Sequence, residues 1–140
     1  MTTSRSTPSI ERICLAAQRL GAEIGARLIL LFGSAARGRT GPADLDIGIL
    51  SDGPLDAVSA TNRLIEALGV QAIDVADLRR ADPLLLALAA RDGIPVYEGA
   101  PGAYATFASL AARRFADTRK FREAERREIR DFIATARGDG

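Results

Sequence analysis

The chain of 140 residues contains no histidine, no tryptophan and a single cysteine. The absence of histidine excludes Ser-His-Asp triads, Cys-His dyads, histidine-ligated zinc and imidazole acid-base chemistry. Cys14 alone can form neither an internal disulfide nor a cysteine-rich metal site, and its helical spacing predicts a structural thiol on the apolar side of a helix. Any chemistry must therefore use carboxylates, arginine, lysine, hydroxyl groups or a bound metal.

A strong net charge and a long apolar run are also missing. Nineteen basic and eighteen acidic residues give a formal charge of +1, so no overall field attracts nucleic acid or acidic membranes. The longest apolar run, residues 84–90, is far shorter than the roughly 20 residues of a membrane span. The first residues also lack the apolar stretch of a signal peptide. We therefore expect a cytoplasmic protein that binds neither a membrane nor, directly, nucleic acid.

Length and composition, with 47% hydrophobic residues, suit one domain over residues 1–140, with residues 1–7 and 134–140 flexible. Apolar periodicity, caps and Gly/Pro punctuation predict four strands among helices. The predicted elements are a helix capped by Thr7 with Pro8 at its first position and ended by Gly21 and Gly25, strand 27–32, strand 44–50, helix 56–68, strand 71–78, helix 82–93, edge strand 93–99 and a long C-terminal helix 103–136. Residues 117–128 of the last helix are mostly charged, which indicates either a solvated face or a surface for a partner.

The stretch LFGSAARGRTGPADLDIGIL, residues 31–50, places two carboxylates in an apolar strand. Asp44 and Asp46 are two residues apart and therefore point to the same face of that strand. A divalent cation would relieve the repulsion between them, since Mg²⁺ takes carboxylate and phosphate oxygens as ligands. A strand whose polar face meets solvent could carry the same Asp-x-Asp pattern by chance.

Two further features favour a metal and phosphate site. Asp74 in AIDVADL lies on the face opposite Ile73 and Val75, so it joins the two other carboxylates if its strand pairs beside theirs. Gly33 and Ser34 stand at a strand-to-helix turn, where backbone N–H groups and a hydroxyl can contact phosphate oxygens. Three carboxylates and such a turn describe a phosphoryl or nucleotidyl transfer site.

GSAARG followed by DLDIGI, with nine residues between Ser34 and Asp44, resembles the Gly-Ser and Asp-x-Asp pattern of the DNA polymerase beta-like nucleotidyltransferase superfamily. IDVADL is similar to its third-carboxylate strand. The size and the helix containing RRFADTRKFREA look most like the minimal nucleotidyltransferase (MNT) antitoxins of HEPN/MNT toxin-antitoxin pairs, over roughly residues 10–133. The resemblance implies an α/β (α+β) polymerase beta-like fold, with a small mixed sheet of about four strands, helices mainly on one face and a long C-terminal helix.

The resemblance also implies roles for individual residues. Asp44 and Asp46 would hold two Mg²⁺ ions, and Asp74 would bind the catalytic ion and help to deprotonate the attacking hydroxyl. Gly33 and Ser34 would bind the β and γ phosphates of ATP. Arg37 could reach a phosphate, although an arginine on a loop surface is an equally good interpretation.

By the same resemblance the protein is a protein adenylyltransferase and antitoxin. It would move AMP from ATP to a tyrosine of a HEPN ribonuclease toxin, with which it would form a hetero-oligomer. Two alternatives stay open at this point. The chain could neutralise the toxin by occlusion without catalysis, or it could be an antibiotic nucleotidyltransferase, which is disfavoured because little chain remains to hold that acceptor.

Overall fold

A computed structural model describes residues 8–33 and 44–136. Its elements in chain order are α1 (Ile10–Ile24), β1 (Ala26–Phe32), β2 (Asp44–Ser51), α2 (Ala57–Leu68), β3 (Ala72–Asp77), α3 (Pro83–Asp92), β4 (Ile94–Glu98), α4 (Ala103–Asp117) and α5 (Arg119–Ala136).

The four strands form one mixed sheet in the order β3-β2-β1-β4. β1 runs antiparallel to both β2 and β4, whereas β2 and β3 are parallel and joined through α2. The predicted four-strand mixed sheet is thus confirmed. β4 lies at an edge as predicted, where Pro95 can be accommodated although it lacks a backbone N–H to donate.

One face of the sheet forms the main core with α1 and α2. Its side chains alternate along each strand and are almost fully buried: Ile29, Leu31, Leu45, Ile47, Ile49 and Ile73. The opposite face, which we call the carboxylate face, carries Leu28 and Leu30 of β1, Asp46 and Leu50 of β2, and Asp74 of β3. α3 and α4 cover only the leucine part of this face, through Leu86, Ala89, Phe107 and Ala111. The helical layer of α1 and α2 agrees with the predicted packing on one face, and α3 and α4 add a smaller second cluster.

The structure corrects the predicted ends of α1. Ser9, not Thr7, is the N-cap, because its hydroxyl oxygen accepts a hydrogen bond from the N–H of Arg12 at 3.2 Å. Pro8 therefore precedes the helix. Gly21 lies inside the helix, which ends at Gly25 in the left-handed conformation, φ 67°.

The predicted C-terminal helix is divided at Thr118 into α4 and α5. In a continuous helix the Phe115 carbonyl would accept the N–H of residue 119. Here it accepts instead the Thr118 hydroxyl at 2.8 Å and the Arg122 Nη2 at 3.0 Å. The Arg122 guanidinium also lies 3.7 Å from the centroid of the Phe115 ring.

No helix in the described part of the chain has both the length and the apolar character needed to cross a membrane.

Candidate active site

The candidate site lies at the end of the sheet where β1 finishes and β2 and β3 begin. Phe32 of β1 pairs with Asp46 of β2, and Asp46 is in turn the register partner of Asp74 of β3. The two aspartates therefore stand side by side on adjacent parallel strands, which lie about 4.8 Å apart. The condition under which Asp74 joins the other carboxylates, pairing of its strand beside the Asp-x-Asp strand, is therefore met.

The alternation of the strands directs both carboxylates to the carboxylate face. The neighbours of Asp46 along β2, Leu45 and Ile47, are buried against α1 and α2, and those of Asp74 along β3 also pack toward that core. Asp46 is half-buried and Asp74 is exposed. The Asp74 side chain is thus accessible to a ligand.

Leu78 separates the carboxylates from the apolar part of the same face. Its N–H continues the sheet by donating to the Ile49 carbonyl at 2.9 Å, and its side chain is 1% exposed. A Cβ built on Gly48, two residues after Asp46, would lie 3.0 Å from the Leu78 methyl carbons. Because residue 48 is glycine, the Leu78 side chain can pack directly on β2 there. It is the member of the apolar cluster that lies next to the carboxylates.

Gly33 forms the turn that follows β1, with φ 79°, a conformation that L side chains rarely adopt. A Cβ built on it would overlap Asp46 Oδ2 and lie 3.0 Å from Asp46 Cγ. The Asp46 carboxylate thus packs directly on the Gly33 backbone. The predicted phosphate-binding turn and the predicted metal-binding carboxylate are in contact.

Three of the predicted site residues are described incompletely or not at all. Ser34 and Arg37, with the helical turn predicted for SAARG, lie outside the described residues. Asp44 is described only by its backbone, which pairs with Ala72 of β3. Among the side chains that the structure does describe, no group of three or more metal-ligating residues occurs.

Asp77, the remaining acidic residue of β3, has no part in this cluster. It is an odd number of residues from Asp74, so it lies on the other side of the strand. Its Oδ1 accepts the N–H of Arg79 at 3.1 Å and so supports the turn after β3.

Arg91 and Asp92, which the sequence analysis did not single out, lie at the same end of the molecule. They form the C-terminal end of α3, and Ile94, which follows them after Gly93, pairs with Leu31 of β1. The Arg91 Nε and Nη2 each donate to an oxygen of Asp92 at 2.9 Å. In the sequence these two residues are only a charged pair before a predicted edge strand. Their place in the fold depends on the pairing of β4 with β1, which joins residues distant in sequence.

No protein-family model matches the chain, and no curated protein is similar to it in sequence. Solved structures are similar in fold. A toxin-antitoxin structure with AMP-PNP superposes with a TM-score of 0.67 at 24% identity, covering 90% of this chain and 98% of that one. A complex of tri-AMPylated Shewanella oneidensis HEPN toxin with its MNT antitoxin gives 0.61 at 24% identity, over 89% and 96% of the two chains. An MntA-HepT toxin-antitoxin structure gives 0.61 at 23% identity with the same coverage.

The mixed four-strand sheet and these superpositions indicate the same fold. The chain has the nucleotidyltransferase fold of the MNT antitoxins.

Proposed function

We propose that this protein is an antitoxin that transfers AMP from ATP, with Mg²⁺, to a tyrosine of a partner HEPN ribonuclease toxin. The reaction class is supported by the fold shared with a toxin-antitoxin structure that contains AMP-PNP. The acceptor is supported by the similar structure whose HEPN toxin carries AMP groups. Neutralisation then follows from modification of the toxin.

The observation that carries this proposal is the position of Asp46 beside Asp74 at the Gly33 turn. Two carboxylates on adjacent strands supply the oxygen ligands that Mg²⁺ prefers, and they leave positions open for water and phosphate. The residues thus fit the metal. We assign Asp44, two residues before Asp46 on β2, as the third ligand.

Magnesium bound there would stabilise negative charge on the entering and leaving oxygens of the displacement. In the proposed reaction Asp74 accepts the proton of the tyrosine hydroxyl, whose oxygen forms a bond to the α phosphorus. The bond from that phosphorus to the oxygen bridging to the β phosphorus breaks, and pyrophosphate leaves. Asp74 suits the role of base because it is the more exposed of the two described carboxylates and thus the more accessible to an acceptor.

The Gly33 turn is proposed to bind the β and γ phosphates. A residue with a Cβ would put that atom on the Asp46 carboxylate, whereas glycine lets phosphate, carboxylate and backbone approach one another closely. Ser34 and Arg37 follow this turn in the sequence, and we assign them to the same phosphates.

The acceptor is proposed to come from the partner because the open end of the carboxylate face offers a place for it. α3 and α4 cover the leucines of that face, and Leu78 closes the apolar cluster, while Asp74 stays exposed. A tyrosine on a protruding segment of a partner can reach this end without displacing a described helix.

The test is to co-express the chain with the product of its adjacent reading frame and to weigh that product intact by mass spectrometry. The wild type is expected to add one or more AMP units. The Asp74→Asn variant, which keeps the size of the side chain, is expected to add none. Asp77→Asn is the matched control, since it removes a carboxylate from the same strand but from the other side, and it is expected to leave AMP transfer intact.

Three results would contradict the proposal. An unmodified partner in a stable complex with both the wild type and Asp74→Asn would mean that the antitoxin acts by occlusion. Equal modification by the wild type and Asp74→Asn would mean that the carboxylate pair is not the reaction centre. Drug resistance conferred by the chain alone, with no partner modified, would point to a small-molecule acceptor.

A further inference from the structure

A groove with a volume of about 670 Å³ lies at the start of β1 and the end of β2, the end of the sheet opposite to the carboxylates. Its floor is apolar and includes Leu50, Leu78, Leu86 and Phe107 of the cluster under α3 and α4. Leu50 is half-buried and Leu110 of α4 is 40% exposed, so the two helices leave apolar surface uncovered here. Uncovered apolar surface with a polar rim is typical of a contact site for another molecule.

Small residues keep this groove open. The N–H of Gly99 donates to the Arg27 carbonyl at 2.7 Å, and a Cβ built on Gly99 would overlap the Ala26 carbonyl oxygen. The segment between β4 and α4 is thus held against the start of β1. Residues 99–103 all line the groove and are only glycine, alanine and proline. Their side chains are too short to cover the leucines of the floor.

Positive charge is in excess around the groove, which we call the arginine groove. Among the residues that the structure describes, its charged lining residues are Arg27, Arg79, Arg114 and Asp52. Arg27 and Asp52 form an ion pair, and their side chains are 65% and 67% exposed. Arg79 and Arg114 are exposed and form no ion pair with another residue of the described ranges. Two guanidinium groups are thus available for carboxylates, which their planar donors match.

The floor of the arginine groove is on the same face of the sheet as the proposed reaction centre. Leu50 follows Asp46 by four residues on β2, an even number, so both side chains are on the carboxylate face. At a rise of about 3.3 Å per residue, the two positions are roughly 13 Å apart along the strand. A protein that places a tyrosine at Asp74 therefore has its neighbouring surface within reach of the groove.

We propose that the arginine groove docks a segment of the partner protein in which carboxylates stand next to apolar side chains. This inference rests on the proposed function and adds to it the surface that recognises the partner. Apolar side chains of the segment cover Leu50 and Leu110, and its carboxylates accept hydrogen bonds from Arg79 and Arg114. The charge of the groove then favours acidic segments over neutral or basic ones.

The experiment measures the affinity of the full chain for the product of the adjacent reading frame by biolayer interferometry without ATP. Unmodified partner is prepared by co-expression with the Asp74→Asn variant. The double variant Arg79→Ala/Arg114→Ala is expected to weaken binding about tenfold, the loss of two exposed ion pairs, and to make the Kd less dependent on salt. Leu110→Gln is expected to weaken binding about fivefold because it removes apolar contact, with the salt dependence of the wild type.

Each variant has a matched control outside the groove. Arg80 and Arg113 are exposed, directly follow or precede the two groove arginines, and do not line the groove. Arg80→Ala/Arg113→Ala therefore removes the same charge at neighbouring positions. Leu84 of α3 is 54% exposed and also lies outside the groove, so Leu84→Gln is the control for Leu110→Gln. Both controls are expected to bind as the wild type does, and thermal unfolding of every variant verifies the fold.

The inference is overturned if the groove variants bind the partner as tightly as the wild type, or if the controls lose as much affinity. It is also overturned if the wild type is a dimer by sedimentation and Leu110→Gln is a monomer with unchanged affinity for the partner, because the groove then holds a second copy. AMP transfer is scored separately by mass spectrometry. Weaker binding by the groove variants to a partner that the wild type leaves unmodified would contradict the proposed catalysis and support the docking site.

Discussion

The Asp46 carboxylate occupies the space that a Cβ on Gly33 would need. The overlap involves Oδ2 directly, and the 3.0 Å separation from Cγ leaves no room for the carboxylate to stay where it is. Gly33 also has φ 79°, so two independent constraints require glycine at one position. The turn after β1 therefore packs directly against the Asp46 carboxylate, the second of the Asp-x-Asp strand.

Gly33→Ala is expected to abolish AMP transfer to the partner and to lower the free energy of unfolding by more than about 1 kcal/mol. The backbone strain of alanine at positive φ accounts for about 1 kcal/mol of that loss. The displaced Asp46 carboxylate accounts for the loss of transfer. Transfer is followed by mass spectrometry of the partner and stability by urea denaturation.

Gly69→Ala is the control for this variant. Gly69 ends α2 with φ 67°, and a Cβ built on it meets no heavy atom within 4 Å among the described residues. The control thus has the same backbone strain without the overlap, and it is expected to lose stability but not activity. Equal activity of Gly33→Ala and Gly69→Ala would contradict the role assigned to Gly33.

Magnesium is expected to stabilise the folded wild type, because Asp46 and Asp74 are like charges on adjacent strands and the cation relieves their repulsion. Asp74→Asn removes one of the two charges. In EDTA this variant is expected to be more stable than the wild type by up to about 1 kcal/mol, and magnesium is expected to shift its melting temperature less. Thermal unfolding with EDTA and with MgCl₂ measures both effects. Equal magnesium shifts in the two proteins would exclude a metal bound by Asp74.

Gly21→Ala is expected to destabilise the protein, although alanine is the better helix former by about 1 kcal/mol. Gly21 is buried in the last turn of α1, and a Cβ on it would lie 2.5 Å from Tyr97 Cδ2 and 2.8 Å from Cζ. Moving the ring of Tyr97 is expected to cost about 1 to 3 kcal/mol, the usual cost of overpacking. In a Tyr97→Ala background the same substitution should become neutral or stabilising. Urea denaturation of the wild type, the two single variants and the double variant gives the four free energies of unfolding. A loss of stability as large in the Tyr97→Ala background as in the wild type would rule out this contact as the reason for glycine.

The carboxylate cluster could be predicted from the sequence because strand periodicity is local. Asp46 and Asp74 each sit between apolar residues, so a period of two assigns them to the polar face without knowledge of the tertiary structure. The resemblance of the Gly-Ser and Asp-x-Asp pattern to the polymerase beta-like superfamily then linked the Gly33 turn with the carboxylates. The helix ends marked by Asp56, Gly69 and Asp82 were equally local and appear as predicted.

What could not be predicted depends on contacts distant in sequence. The place of Arg91 and Asp92 at this end of the sheet could not be predicted because it requires β4 to pair with β1, which no local pattern encodes. The break at Thr118 was missed because it depends on the side chain of Arg122 turning back to the Phe115 carbonyl and ring. Ser9 and Thr7 are both good caps, so composition could not choose between them.

Two phenylalanines of the C-terminal region are expected to differ sharply in their contribution to stability. Phe107 of α4 is 5% exposed and packs in the cluster of Leu28, Leu30 and Leu86, so Phe107→Ala is expected to cost about 3 to 5 kcal/mol. Phe132 of α5 is 73% exposed, and Phe132→Ala is expected to change the free energy of unfolding by less than about 0.5 kcal/mol. Urea denaturation of the purified chain measures both values. A large loss in Phe132→Ala would contradict the exposed position of α5, because burial of that ring in the free chain would be needed to explain it.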